Sequence, residues 1–197
     1  MTALLRSVIA VVVLTVAFGL VYPLLFTGFA QLVFSDKADG SLIERDGKVV
    51  GSKLAAQAFT KPQYFHPRPS ATAPEYNAGA TTFANLGPTS PDLARAVRER
   101  IAAILKLERP YNPGLTVGDI PVDAVTTSSS GIDPHISEAN AQLQIARVAE
   151  VRGLTTEQVA DLVDEHTDGR FLGVFGEPGV NVLELNLALD DLQEGSS

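Results

Sequence analysis

The chain has 197 residues, a formal charge of −8 and a sequence pI near 4.8, with 23 acidic side chains against 15 lysines and arginines. So acidic a body lacks the basic stripe that phosphate backbones require, which argues against nucleic acid as a partner. With no cysteine in the sequence, disulfides, thiolate metal sites and cysteine nucleophiles drop out together, although the compartment stays open.

From Ser7 to Ser35 no side chain is charged, and Leu4 to Leu25 alone supplies the roughly 20 apolar residues that a helix needs to cross a bilayer. An uncleaved anchor is the expected reading. The alternative is a secretory signal peptide cut near Ala17-Phe18-Gly19, which would leave Leu20 to Phe26 as an exposed apolar N-terminus. Charge does not fix the orientation: Arg6 stands on one flank and Lys37, Arg45 and Lys48 on the other, and long domains translocate largely regardless of charge. Within the span Thr15 and Gly19 lie one turn apart and Pro23 interrupts the far end, so these three positions are the candidates for close packing against other helices.

Beyond the anchor, Asp46-Gly47 between Ser41–Arg45 and Lys48–Val50 predicts a tight hairpin. Residues 60–91 are dense in Pro, Gly, Asn, Ser and Thr and read as a long irregular loop. Its aromatics Tyr64, Phe65, Tyr76 and Phe83 favour order, while Arg68, Asn77 and Asn85 offer polar groups for a docking surface. Ser90 and Pro91 open a helix with Leu93, Val97, Ile101 and Leu105 on one face. Ile120 to Thr126 reads as a short strand. Ser137 caps a helix running to Arg152 and stopping at Gly153, with Ile136, Ala139, Leu143 and Ala146 as its buried stripe and Asn140, Gln144 and Arg147 on another face. Thr155 and Gln158 form a capping box for a further helix, and Leu183, Leu185, Leu187 and Leu189 alternate as in a strand. The expected organisation is α+β: a membrane segment over 1–35, with its helix at about 4–25, and one compact mixed α/β soluble domain over 36–197.

The densest polar stretch is Ser128-Ser129-Ser130-Gly131-Ile132-Asp133-Pro134-His135. A hydrolase would need a serine, a base and an orienting group converging from separate parts of the chain, and Gly-x-Ser-x-Gly is absent. An anchored hydrolase using Ser130, Asp133 and His135, or an anchored binding module, is the alternative reading. One His and one carboxylate, with His66 and His166 remote in sequence, do not make a metal site, and no phosphate loop ending in Lys-Ser or Lys-Thr occurs.

Many short motifs recur in order along the chain: Tyr22-Pro23-Leu24 with Thr27-Gly28 and Gln31, Pro62-Gln63-Tyr64-Phe65, Arg68-Pro69-Ser70-Ala71, Tyr76-Asn77-Ala78 and Asn85-Leu86-Gly87-Pro88. They continue with Ser128-x-Ser130-Gly131-x-Asp133-Pro134-His135-Ile136-Ser137, Gln144 with Arg147-Val148-Ala149, and Gly176-Glu177-Pro178-x-Val180-Asn181-Val182-Leu183. Together they resemble the C subunit of the Kdp potassium-transporting P-type ATPase. Phe83-Ala84 where that family usually has Gly-Ser, Ile132 for Leu and Glu138 for Pro are minor departures.

The resemblance implies a non-catalytic subunit of an ATP-driven potassium importer in the plasma (inner) membrane, single-pass, with a cytoplasmic N-terminus and an extracytoplasmic body. It implies three protein partners beside the lipid bilayer: a catalytic P-type subunit, a potassium-channel-like subunit and a small membrane subunit. It further implies assembly or stabilisation of the pump and a catalytic-chaperone role that raises ATP affinity. Ser130, Gly131, Asp133, His135, Gln144 and Arg147 are then the ATP-related or partner-docking candidates, with no catalytic residue and no metal, and with ATP as a ligand reached through the complex and direct contact left open.

Overall fold

The computed structural model describes residues 2–195 as two compact units, one up to Val50 and one from Gly51. In the first, α1 (Thr2–Val16) and α2 (Tyr22–Val33) are joined by a π-helical turn, Ala17–Val21, into one apolar helix of 32 residues. Pro23 has no N–H and its ring crowds the carbonyl four residues earlier, which breaks an ordinary α-turn. The wider turn, closed by Tyr22 N–H on the Ala17 carbonyl, relieves that clash, and Pro23 then sits in the first turn of α2. The helix therefore runs past the expected end near Leu25. At about 1.5 Å per residue it is longer than the roughly 30 Å hydrocarbon core, and its apolar side chains are exposed throughout.

After the short helix α3 (Ser35–Ala38), strands β1 (Leu42–Arg45) and β2 (Lys48–Ser52) form the expected hairpin. Asp46 (φ 52°) and Gly47 (φ 71°) adopt the two positive φ angles of a type I′ turn, whose twist matches that of paired strands.

In the second unit no helix or strand of regular length interrupts the run from Ala56 to Ser90, as the prolines dictate. Ser90 then caps α4 (Pro91–Glu108) by accepting the Leu93 N–H. A 3₁₀ turn (Val117–Asp119) and the short helix α5 (Val122–Val125) lead to β3 (His135–Ile136), α6 (Glu138–Arg152), α7 (Thr156–Glu165), β4 (Thr167–Asp168), β5 (Gly179–Asn181) and α8 (Val182–Glu194). The sheet is antiparallel in the order β3-β5-β4, pairing Ile136 with Val180 and Val180 with Thr167. The core lies between it and α6, α7 and α8: Ile136, Ile145, Val148, Val159, Val163, Val180, Leu185 and Leu189, closed by Phe65 from the loop. The whole is α+β behind an N-terminal apolar helix, as expected.

Three expectations are corrected. Leu183 to Leu189 is helix, not strand: Asn181 caps it by accepting the Glu184 N–H, and Val182, Leu185, Asn186 and Leu189 face inward at helical spacing. Alternating leucines satisfy both periods, and the Leu, Ala, Glu and Asn that fill the run include no β-branched residue. Ile120 to Thr126 is a turn and the short helix α5, opened by Pro121. On α6 the buried face carries Asn140, Gln144 and Arg147 beside Ala141, Ile145 and Val148, whereas Ala139 is exposed and Leu143 and Ala146 are only half-buried. The expected apolar stripe is thus rotated towards polar residues.

The helical register of α8 predicts unequal costs along it. Leu185→Ala should lower stability by about 2–5 kcal/mol, and Asn186→Ala, which strips both hydrogen bonds from Phe65, by about 2–3 kcal/mol. Leu187→Ala, at a half-buried position, should cost less than either. Urea unfolding of the detergent-solubilised chain separates these values; equal losses at Leu185 and Leu187 would restore the strand.

Candidate functional site

The loop segment Pro62 to His66 turns at Lys61–Tyr64 and crosses α6 and α8 without joining any sheet, so its remaining backbone groups need other partners. Two side-chain amides supply them. Asn186 accepts the Phe65 N–H (2.8 Å) and donates to the Phe65 carbonyl (3.0 Å), and Gln144 does the same for His66 (2.8 and 3.1 Å). Gln144 also donates to Asn140 Oδ1 (3.0 Å) and accepts from Arg147 Nη2 (2.7 Å).

Arg147 is fully buried and spends its fork on the same segment: Nη1 donates to the Tyr64 carbonyl (2.9 Å) and to that of Pro62, and Nε donates to Glu108 Oε1 (2.8 Å). Arg152 repeats the pattern one turn on, donating to the Gln63 carbonyl (2.7 Å) and to Asp190 (2.8 Å), with its guanidinium 5.0 Å from the centre of the Tyr64 ring. Burial pushes the Glu108 carboxyl above its ordinary range against the pull of Arg147. Its second oxygen is buried without a partner. Burial also holds His66 below its ordinary 6.5, reinforced by the Arg147 charge and opposed by the Lys61 carbonyl 3.1 Å from Nε2.

Beside this clamp a cavity of about 370 Å³ opens between α4 and α6, lined by Phe59, Tyr76, Arg100, Glu108, Asn140 and Gln144 among others. Arg100 is half-buried and donates to the Val125 carbonyl (2.9 Å).

A second cluster ties the loop to the serine-rich stretch. Arg68 Nη1 pairs with Asp133 Oδ2 (3.0 Å), so two candidates taken from separate parts of the sequence meet. Ser70 Oγ donates to the Gly131 carbonyl (2.7 Å) and accepts the N–H groups of Thr72 and Tyr76. Gly131 has φ 73°, and a Cβ there would fall 2.7 Å from Thr72 Cγ2 and 2.8 Å from the Thr82 carbonyl, so the glycine is needed for both angle and space. Tyr76 donates its hydroxyl to the Arg68 carbonyl (3.0 Å), and burial pushes that phenol up to about 12.

The remaining candidates do not converge on one centre. Ser130 is exposed and its Oγ accepts the Ile132 N–H, while His135 Nε2 faces Asp168 Oδ2 (3.1 Å) and Asp133 Oδ1 accepts the His135 N–H. Among the described residues no serine–histidine pair forms and no group of three His, Asp or Glu side chains is placed to hold a metal. Asn77 Oδ1 accepts the Gly79 N–H, and Asn85, at φ 50°, is exposed with its neighbours. Thr15, Gly19 and Pro23 lie on the exposed surface of the apolar helix. Sequence reasoning missed Asn186, Arg152, Glu108 and Ser70. The signal for Asn186 was a lone amide inside a leucine-rich run.

Fold and polar inventory define a class: an α+β unit with buried amides and guanidinia that order one loop, in a chain that has, among the described residues, one helix long and apolar enough to cross a membrane. The family profile described as "K+-transporting ATPase, c chain" matches residues 4–191. Proteins named "Potassium-transporting ATPase KdpC subunit" are similar along their whole length. The one from Methylococcus capsulatus is 52% identical over 188 residues (95% of this chain, 96% of that one), and the one from Koribacter versatilis is 49% identical over 190 residues (96% and 95%). That from Mycobacterium tuberculosis H37Rv is 51% identical over 189 residues (96% and 98%). The chain belongs to the KdpC family.

Two predictions follow the clamp. Arg147→Lys should cost about 3–5 kcal/mol in urea unfolding, because an ammonium cannot serve Glu108, Tyr64 and Gln144 from one plane. For His66 the folded value lies below the unfolded one, so its contribution is present above pH 6.5 and is lost as the pH falls below that towards the folded value. Glu108, shifted up, changes with the opposite sign. The difference between wild type and His66→Gln isolates the histidine: the variant should lose less stability on acidification through 6.5 than the wild type.

Proposed function

We propose that the chain is an accessory subunit of an ATP-driven potassium importer, held in the plasma membrane by one span with its N-terminus inside and its soluble unit outside. It acts by binding partners: a catalytic P-type subunit, a channel-like subunit and a small membrane subunit. Membership of the KdpC family and the printed name of its relatives support the potassium pump. The observation that carries a binding rather than a chemical role is the fate of the polar candidates. Gln144 and Arg147 bond to the backbone of the chain's own loop and Asp133 pairs with Arg68 from that loop, which leaves them as organisers of a surface.

The same observation bears on ATP. Gln144 could reach a nucleotide only by releasing His66 and Arg147, a cost any binding energy must first offset. The chaperone effect on ATP affinity is therefore best read as indirect, through assembly of the catalytic subunit.

A C-terminal topology reporter should be active only outside the cell, and the tagged chain should co-purify with the pump. In membranes carrying Gln144→Ala, recovery of the assembled pump should fall while the complexes that do form keep their KM for ATP. Normal recovery with a raised KM would overturn the indirect route, and a reporter active inside would overturn the orientation.

A further inference from the structure

Between Arg170 and Glu177 the second unit projects a short hairpin whose side chains contradict its exposure. Phe171, Leu172, Val174 and Phe175 are 71%, 75%, 70% and 63% exposed. Four side chains of this size present on the order of 500 Å² of apolar surface, as much as a monomer commonly leaves bare in its largest patch. The tip is nonetheless built. Phe171 and Phe175 exchange both backbone hydrogen bonds (2.8 and 3.0 Å), their rings stand 6.5 Å apart, and Arg170 Nη2 closes the neck on Glu177 (2.6 Å).

Its turn holds Leu172 at φ 54° before Gly173 at φ 75°. A leucine in the left-handed region is strained, and here no intramolecular packing offsets the strain, since the side chain points into solvent. A fold that keeps a branched apolar residue in a strained turn at a projecting tip is presenting it to something.

Charge selects the occupant. Within the neck Asp168 and Glu177 stand beside Arg170, and apart from Arg6 every charge that makes up the net −8 lies after residue 35. Such a surface is repelled by anionic headgroups, and Arg170, the cation within the hairpin, is already paired with Glu177. We propose that this hairpin is a docking plug that inserts Leu172 and Phe175 into an apolar cleft, rimmed by basic side chains, on a partner subunit of the pump. The inference rests on the pump-subunit reading and names the element that makes the contact. A few side chains desolvated at the centre of a contact, ringed by neighbours that exclude water, carry most of the affinity in such interfaces.

The test uses the full chain co-expressed with the pump. Wild type, Leu172→Asp, Phe175→Asp and the conservative Leu172→Met are purified through a tag on this chain, with thermal unfolding as the control that exposed-tip variants still fold. The aspartate variants should unfold like wild type and lose about tenfold or more of the co-purified pump, while Leu172→Met retains it. A benzophenone side chain at position 172 should crosslink to a pump subunit. Adducts only with lipid, adducts only with a second copy of the chain, or undiminished recovery with the aspartate variants would each overturn the plug while leaving the pump-subunit reading in place. Failure of wild type to recover any pump would overturn both.

Discussion

One buried guanidinium sets the terms for the soluble unit. Arg147 projects from α6 to the Pro62 and Tyr64 carbonyls, to Glu108 at the end of α4 and to Gln144 one turn back on its own helix. An isolated buried cation is prohibitively costly, so its neighbours are dictated: a carboxylate must come from somewhere and the remaining N–H groups must find oxygens. Glu108 supplies the carboxylate and so fixes where α4 lies against α6. Loop carbonyls supply the rest and so fix where the proline-rich segment crosses both.

The loop is ordered by the same exchange. Proline prevents it from entering a sheet, yet Phe65 has to reach the core. Asn186 and Gln144 act as surrogate strands, each offering one acceptor and one donor to a backbone residue, and Arg152 extends the strap to Gln63. Hydrogen bonds of this kind contribute modestly when made and cost far more when one partner is missing, so they specify the path of the loop more than they stabilise it.

This explains which parts of the structure were legible in the sequence. Local signals held wherever chemistry and outcome lie within a few residues: Asp46-Gly47 in its turn, Ser90-Pro91 at the start of α4, Ser137 and Gly153 at the ends of α6, Thr155 with Gln158 on α7. They failed where a distant partner decides. Asn140, Gln144 and Arg147 look like a solvated face until the carbonyls of Pro62 to His66, some eighty positions earlier, are laid against them. The leucine run of α8 fits two periodicities, and Asn186 breaks the tie only because Phe65 needs it. Among the candidate residues, Arg68 and Asp133 do meet, and Gln144 and Arg147 do share a cluster, but Ser130 and His135 belong to separate local hydrogen-bond sets.

The distribution of side chains then bears on how such a chain works. Here the most exacting polar groups are inside and committed, and large apolar side chains stand exposed along Thr2–Val33 and again at Phe171–Phe175. Apolar surface does no chemistry; it is lowered in free energy only by being covered. A chain that spends its polar groups on holding one shape, and leaves its apolar groups for other surfaces to cover, has the physical makeup of a subunit whose work is contact. On the reading proposed above, Arg147 serves that work at a distance, because a unit held in one shape loses less conformational freedom on binding.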